Sequence, residues 1–175
     1  EIPLSDPRYN QVLSEFYTSC TEHLTALVQA GEDVVVLCEG DPFFYGSFMH
    51  LHERLKGQVP VEVVPAITGM SAAWTATGHP VTWGDDVLTV LMGTLDEAEL
   101  TRQMTHTDAL VVMKIGRNFQ KIVRALRAAG KADRAWLVEY AAMPGQTVRL
   151  LSEVPDDHEA PYFSIVIVHG QGRRP

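Results

Sequence analysis

Cys38-Glu39-Gly40-Asp41-Pro42-Phe43-Phe44-Tyr45-Gly46 lies between an apolar run, Val34-Val35-Val36-Leu37, and an amphipathic stretch that begins at Ser47-Phe48-Met49 and ends at Arg54-Leu55. The first flank reads as a buried strand and the second as a helix. A strand that ends in Gly-Asp-Pro and turns into a helix sets bare backbone and one carboxylate at the carboxyl edge of a sheet. Open α/β sheets hold their ligands there. Gly40 permits close approach of a ligand to the backbone. Asp41 can accept hydrogen bonds from a ribose or counter a cation, and Pro42 fixes the turn. A plain strand-to-helix turn with an aspartate cap accounts for the same residues, and the motif alone does not choose between the two.

Working outward, Ser5-Asp6-Pro7 starts a helix. Its apolar positions Val12, Leu13, Phe16, Leu24, Leu27 and Val28 recur at helical spacing, and Gly31 closes it. Strands over 34–38 and 61–64 alternate with helices over 47–55 and 70–77, which predicts a parallel sheet with covering helices. Gly78-His79-Pro80 breaks the pattern. Beyond it the sequence predicts strands over 87–92, 109–113, 135–139, 147–151 and 162–168. Helices over 96–104 and 118–129 and an acidic, proline-bounded loop over 154–161 complete this part. A boundary near Gly84 gives an N-terminal α/β domain over 1–83 and a C-terminal α/β domain with a mixed sheet over 84–175.

The 175 residues are 46% hydrophobic and 21% charged, enough for a substantial core, and the formal net charge is −8. That balance argues against nonspecific nucleic-acid binding, which needs a basic face. Cys20 and Cys38 are too few for a disulfide framework, and Cys38 reads as a core thiol. No run approaches the roughly 18 apolar residues of a membrane span, so the expectation is a soluble, cytoplasmic protein. The chain opens on Glu1-Ile2-Pro3-Leu4 without a methionine or a first strand, which reads as a fragment or a processed form. The histidines show no metal-ligand spacing. No Gly-x-Ser-x-Gly, Walker or Gly-x-Gly-x-x-Gly motif is present.

Two further strand ends can carry chemistry. Pro65-Ala66-Ile67-Thr68-Gly69-Met70-Ser71 is a second strand-to-helix turn. Thr68 can cap the helix that follows, and small residues let a flat ligand lie against the helix start. Met113-Lys114-Ile115-Gly116-Arg117-Asn118 ends the most apolar strand. Met113 fits either core or site. Lys114 and Arg117 form a local cation cluster in an acidic chain, suited to substrate carboxylates.

Taken in order, these segments resemble the tetrapyrrole methylase family. Glu39-Gly40-Asp41-Pro42 is similar to its Gly-Gly-Asp-Pro segment, and Val64-Pro65-Ala66-Ile67-Thr68-Gly69 to its Val-Pro-Gly segment, with Ala66 in place of the usual glycine. Residues 37–45 with 51–55, then 112–118, then Ala160-Pro161-Tyr162-Phe163-Ser164, together with Asp85-Asp86-Val87-Leu88 and Gly93-Thr94-Leu95, most resemble the branch that acts on precorrin-2. The resemblance covers nearly the whole chain.

It implies two α/β domains with an inter-domain cleft, the first incomplete at its N-terminus because the family's first strand and its Gly-x-Gly-x-Gly-Asp-Pro loop are absent. It implies a homodimer. It implies S-adenosyl-L-methionine as cofactor, leaving as S-adenosyl-L-homocysteine, with contacts at Glu39, Gly40, Asp41, Thr68, Gly69, Met113, Ala141, Phe163 and Ser164. The implied reaction is methyl transfer to C-20 of precorrin-2 in cobalamin biosynthesis, with Lys114 and Arg117 as substrate-binding candidates on physical grounds. No residue is assigned as a catalytic base. Other readings are a sister methylase acting on another carbon or on the cobalt-containing intermediate, a relative that modifies a translation factor or ribosomal RNA, and a non-catalytic module that binds a ligand or dimerises.

Overall fold

A computed structural model describes residues 6–174. The expected cap at Ser5 lies outside these residues. Two compact units divide the chain, Glu1–Thr68 and Gly69–Pro175.

The first unit is built on two helices, α1 (Tyr9–Gln29) and α2 (Phe48–Leu55). Asp6 starts the first: its backbone carbonyl accepts from Tyr9 N at 2.9 Å, and its carboxylate from Arg8 N at 2.8 Å. Gly31, at φ 90°, takes the left-handed conformation that closes the helix. Arg54 of α2 hydrogen-bonds Ser14 of α1 at 3.4 Å and lies over the Tyr17 ring at 5.5 Å.

The strands expected over 34–38 and 61–64 do not form. Among the described residues this unit has one isolated bridge, Lys56 with Val59. A strand exists only where a neighbour takes up its backbone N–H and C=O groups, and neither segment finds one here. Their side chains are accordingly open to solvent: Leu37 is 90% exposed and Val35 79%. Cys38 is exposed too, not a core thiol.

The second unit is a mixed sheet with helices on both faces. Its elements are α3 (Gly69–Ala76), β1 (Leu88–Met92), α4 (Glu97–Thr105), β2 (Ala109–Met113), α5 (Phe119–Ala128), β3 (Ala135–Glu139), β4 (Thr147–Leu150) and β5 (Ser164–Val168). The strand order is β1-β2-β5-β3-β4, with β1 parallel to β2 and the other pairs antiparallel.

Period-two alternation sorts the strands' side chains between two layers. Leu110, Val112, Leu137, Val166 and Val168 join Leu100, Met104, Ile122 and Leu126 in the larger core, on the side of α4 and α5. Val111, Val138 and Ile167 pack with Ala73 of α3 on the other face. Because α3 packs on β3 and β5, the compact unit starts at Gly69, earlier than the expected boundary near Gly84.

Asp96 caps α4, its carboxylate accepting from Glu99 N at 2.8 Å. Gly93 follows β1 where no side chain fits: a Cβ there would lie 2.8 Å from both Ile122 Cδ1 and the Lys114 carbonyl oxygen. Asp86 holds the tail after β5, accepting from Trp83 N at 2.8 Å and from Gly172 N at 3.2 Å. No helix among the described residues is long and apolar enough to cross a membrane.

Candidate functional site

In the first unit the Gly-Asp-Pro turn and the Pro-Ala-Ile-Thr turn are held together by one side chain. Asp41 Oδ1 accepts from Phe43 N at 2.9 Å, and Asp41 Oδ2 accepts from Ala66 N at 3.1 Å. Phe44 N donates to the Asp41 carbonyl at 3.1 Å. Gly40 takes a positive φ of 85°, which favours glycine there. Glu39, Gly40, Asp41 and Thr68 therefore lie on two linked turns. The aspartate that the sequence offers as a ligand group also serves as the latch between them.

In the second unit the carboxyl ends of β1, β2 and β3 share one sheet edge with the start of β5. The register places Met92 opposite Met113, Val112 opposite Val166, and Glu139 opposite Ser164. Met113, Ala141, Phe163 and Ser164, four of the sequence-derived candidates, are thus gathered at this edge. Met113, Ala141 and Ile165 pack on the layer under α3 together with Met70. Gly69 belongs here as well, since a Cβ on it would meet Ile165 Cδ1 at 3.7 Å, an ordinary contact.

The backbone is unusual at turns in both units. Among the described residues four non-glycine residues have positive φ: Tyr45, Lys114, Tyr140 and Ala142. Tyr45 follows the Gly-Asp-Pro turn, Lys114 follows β2, and Tyr140 and Ala142 follow β3. Such conformations cost about 1–3 kcal/mol each and gather at ligand sites. Small residues do not explain them, for two are tyrosines and one a lysine.

The edge offers apolar surface beside turned backbone. Phe163 is 40% exposed and Tyr162 83%, so rings are available beside the small side chain of Ala141. Tightly turned backbone at Tyr140 and Ala142 borders them. The N–H groups of Tyr140 and Ala142 are taken up within the protein, by the Phe163 carbonyl at 2.8 Å and by Gln146 Oε1 at 2.7 Å. Ser164, by contrast, is 3% exposed and its hydroxyl donates to the Pro161 carbonyl at 2.7 Å, so it pins the turn that presents Phe163. Lys114 and Arg117 are both exposed on the chain that leaves β2, Arg117 in a short 3-10 turn, Gly116–Asn118.

A polar cluster that the sequence reading missed lies beside this edge. Glu139, 5% exposed, accepts from Thr147 Oγ1 and Arg149 Nη2 at 2.8 Å each, and its other oxygen lies 2.7 Å from His158 Nε2. The signal was an acidic residue ending an apolar strand. The opposite sheet edge carries a separate cavity of about 330 Å³ beside Trp83, Trp136, His79 and Arg174, remote in the topology from the strand-end residues.

Comparison with known proteins gives the site its context. The family model for Tetrapyrrole (Corrin/Porphyrin) Methylases matches residues 3–155. The chain is 50% identical over 175 residues to a precorrin-2 C(20)-methyltransferase of Sinorhizobium, covering 100% of this chain and 71% of that protein. It is 34% identical over 149 residues to the cobalt-precorrin-2 C(20)-methyltransferase of Salmonella typhimurium, covering 85% of this chain and 63% of that protein. Among solved structures, the uroporphyrin-III C-methyltransferase of Thermus thermophilus, complexed with S-adenosyl homocysteine, superposes with a TM-score of 0.64 at 25% identity, over 86% of this chain and 71% of that one. The chain belongs to the tetrapyrrole (corrin/porphyrin) methylase family.

Proposed function

We propose that the chain transfers a methyl group from S-adenosylmethionine to C-20 of precorrin-2 in cobalamin biosynthesis. The observation that carries this reading is the 50% identity, across the whole chain, with a precorrin-2 C(20)-methyltransferase. The cobalt-free substrate is preferred because identity falls to 34% with the relative named for the cobalt form.

S-adenosylmethionine supplies a methyl group on a positively charged sulfur. The residues proposed to hold it are Glu39, Gly40, Asp41, Thr68, Gly69, Met113, Ala141, Phe163 and Ser164, Ser164 through its hold on the 161–164 turn. Lys114 and Arg117 are proposed to pair with the acidic side chains of the tetrapyrrole, Arg117 by its bidentate fork. The attacking carbon bridges two pyrrole-type rings and is electron-rich by conjugation with their nitrogens, so the protein need not supply a nucleophile. Its work is alignment of carbon and methyl at near-attack distance and exclusion of water. A homodimer in the cytoplasm completes the proposal.

The test is incubation of the protein with cobalt-free precorrin-2 and S-adenosylmethionine carrying a ¹³C methyl group. The expected product is heavier by one ¹³CH₂, the methyl replacing a hydrogen that leaves as a proton, with the label at C-20 by NMR. A label on another carbon favours a sister methylase, and methylation only of the cobalt-containing ring reverses the substrate assignment.

A further inference from the structure

We propose that Glu139 and His158 are positioning residues for the cofactor site: their hydrogen bond holds the segment that carries Phe163 and Ser164 against the turn that carries Ala141. The proposal rests on the cofactor reading above.

Glu139 ends β3 and is 5% exposed. A buried carboxylate is costly unless donors surround it. Burial pushes this carboxyl up, but hydrogen bonds from Thr147, His158 and Arg149 outweigh burial and hold it below the usual range. It is therefore ionised at neutral pH and can only accept. His158 Nε2, 2.7 Å away, must then carry the hydrogen. The 3.5 Å approach of His158 Nε2 to Arg149 Nη2 brings two donors together, so it is not a hydrogen bond. Both groups converge on the same carboxylate.

The three donors do different things. Thr147 and Arg149 belong to β4, already paired with β3 along its length. His158 lies on the acidic loop after β4, a separate segment. From His158 the chain runs to Pro161, whose carbonyl accepts from Ser164 Oγ at 2.7 Å. It then reaches Phe163, whose carbonyl accepts from Tyr140 N at 2.8 Å. The segment 158–163 is thus tied to the end of β3 twice, by a side chain at Glu139 and by backbone at Tyr140. Between the ties stand the exposed rings of Tyr162 and Phe163; beyond Tyr140 stands Ala141. Further anchors, Gln120 Nε2 on the Asp156 carbonyl at 2.8 Å and the Phe119 ring edge on His158 at 5.6 Å, fix the loop's outer half.

A buried, hydrogen-bonded carboxylate adds little stability over well-packed apolar residues. What it adds here is a fixed distance between two segments that both contribute to the proposed cofactor site. His158 touches no proposed ligand contact directly, so its effect runs through Phe163 and Tyr140.

The experiment compares wild type, His158→Ala and His158→Gln by three measurements on the full chain: hydrogen exchange at the Tyr140 amide without ligand, calorimetric affinity for S-adenosylhomocysteine, and the urea midpoint. Gln can present its amide N–H where His158 Nε2 stands. In His158→Ala the Tyr140 amide should exchange about tenfold faster and the dissociation constant should rise about tenfold, the scale of one lost charge-assisted hydrogen bond. His158→Gln should recover most of both. Wild type that binds S-adenosylhomocysteine beside a His158→Ala variant with unchanged exchange and affinity overturns this proposal alone. A loss that His158→Gln does not restore, or one that only follows the urea midpoint, also overturns it. Wild type that binds no S-adenosylhomocysteine removes the cofactor reading and this proposal with it.

Discussion

The Asp41 carboxylate accepts a hydrogen bond from the backbone N–H of Ala66 at 3.1 Å, across 25 residues of sequence. One oxygen closes the Gly-Asp-Pro turn on Phe43, and the other ties that turn to the start of the Pro-Ala-Ile-Thr turn. The aspartate is therefore structural whether or not it also meets a ligand. Asp41→Ala should lower the stability of the protein by about 1–3 kcal/mol, since both bonds go to a charged acceptor. Asp41→Asn, which keeps one carbonyl oxygen, should lose about half of that. Urea titrations of the two variants measure the difference; equal stability of wild type and Asp41→Ala would remove the latch.

Gly93 and Gly69 separate packing from ligand contact. Gly93→Ala forces a Cβ against the Lys114 carbonyl and Ile122, and overpacking of this kind costs about 1–3 kcal/mol. Gly69→Ala meets only ordinary contact with Ile165, so stability should change by less than about 0.5 kcal/mol. Its affinity for S-adenosylhomocysteine should nevertheless fall, because the new methyl stands at a proposed cofactor contact. Unchanged affinity would take Gly69 out of the site.

Arg117 is exposed, so Arg117→Ala should leave folding and cofactor affinity alone. The KM for the tetrapyrrole should rise about tenfold, the scale of a lost bidentate carboxylate contact. A KM equal to that of wild type would end the assignment.

Acid should weaken the fold in two windows. Burial, together with the charge of neighbouring His79, lowers the pKa of His169 from 6.5 despite its hydrogen bond to the Pro80 carbonyl. The unfolded chain therefore takes up this proton first, and stability is lost as pH falls below 6.5 toward the lower folded value. Glu139, held below its ordinary 4.5, contributes stability that is present above 4.5 and lost as pH falls through its folded value. Urea midpoints at successive pH values should show a shallow fall below 6.5, flattened in His169→Asn, and a second below 4.5, reduced in Glu139→Gln. A midpoint constant from pH 7 to 5 would contradict the first.

The second unit was legible because its signals are local. Ala109–Met113 and Ala135–Glu139 are apolar runs of strand length, and Gly130 ends the amphipathic stretch before it. The strands expected over 34–38 and 61–64 were not, because an apolar run states that a segment can be buried but not that a neighbour is there to pair with it. Cys38 followed the same error. Met113 was read from the end of a strand, Ala141 and Phe163 were implied by the family resemblance, and the three come together at one sheet edge. The left-handed turns at Tyr140 and Ala142 could not be seen, since neither residue type advertises positive φ. The Glu139–His158 pair was missed because its two members are 19 residues apart and meet only when the loop after β4 folds back onto the end of β3.

Calorimetric titration of the chain with S-adenosylhomocysteine decides whether it holds the cofactor. Saturable binding at one site per chain is expected, with a dissociation constant of about 1–100 μM, some 5.5–8 kcal/mol, weakened by Gly69→Ala and not by Arg117→Ala. Absence of saturable binding at millimolar ligand, with the protein folded, would contradict it.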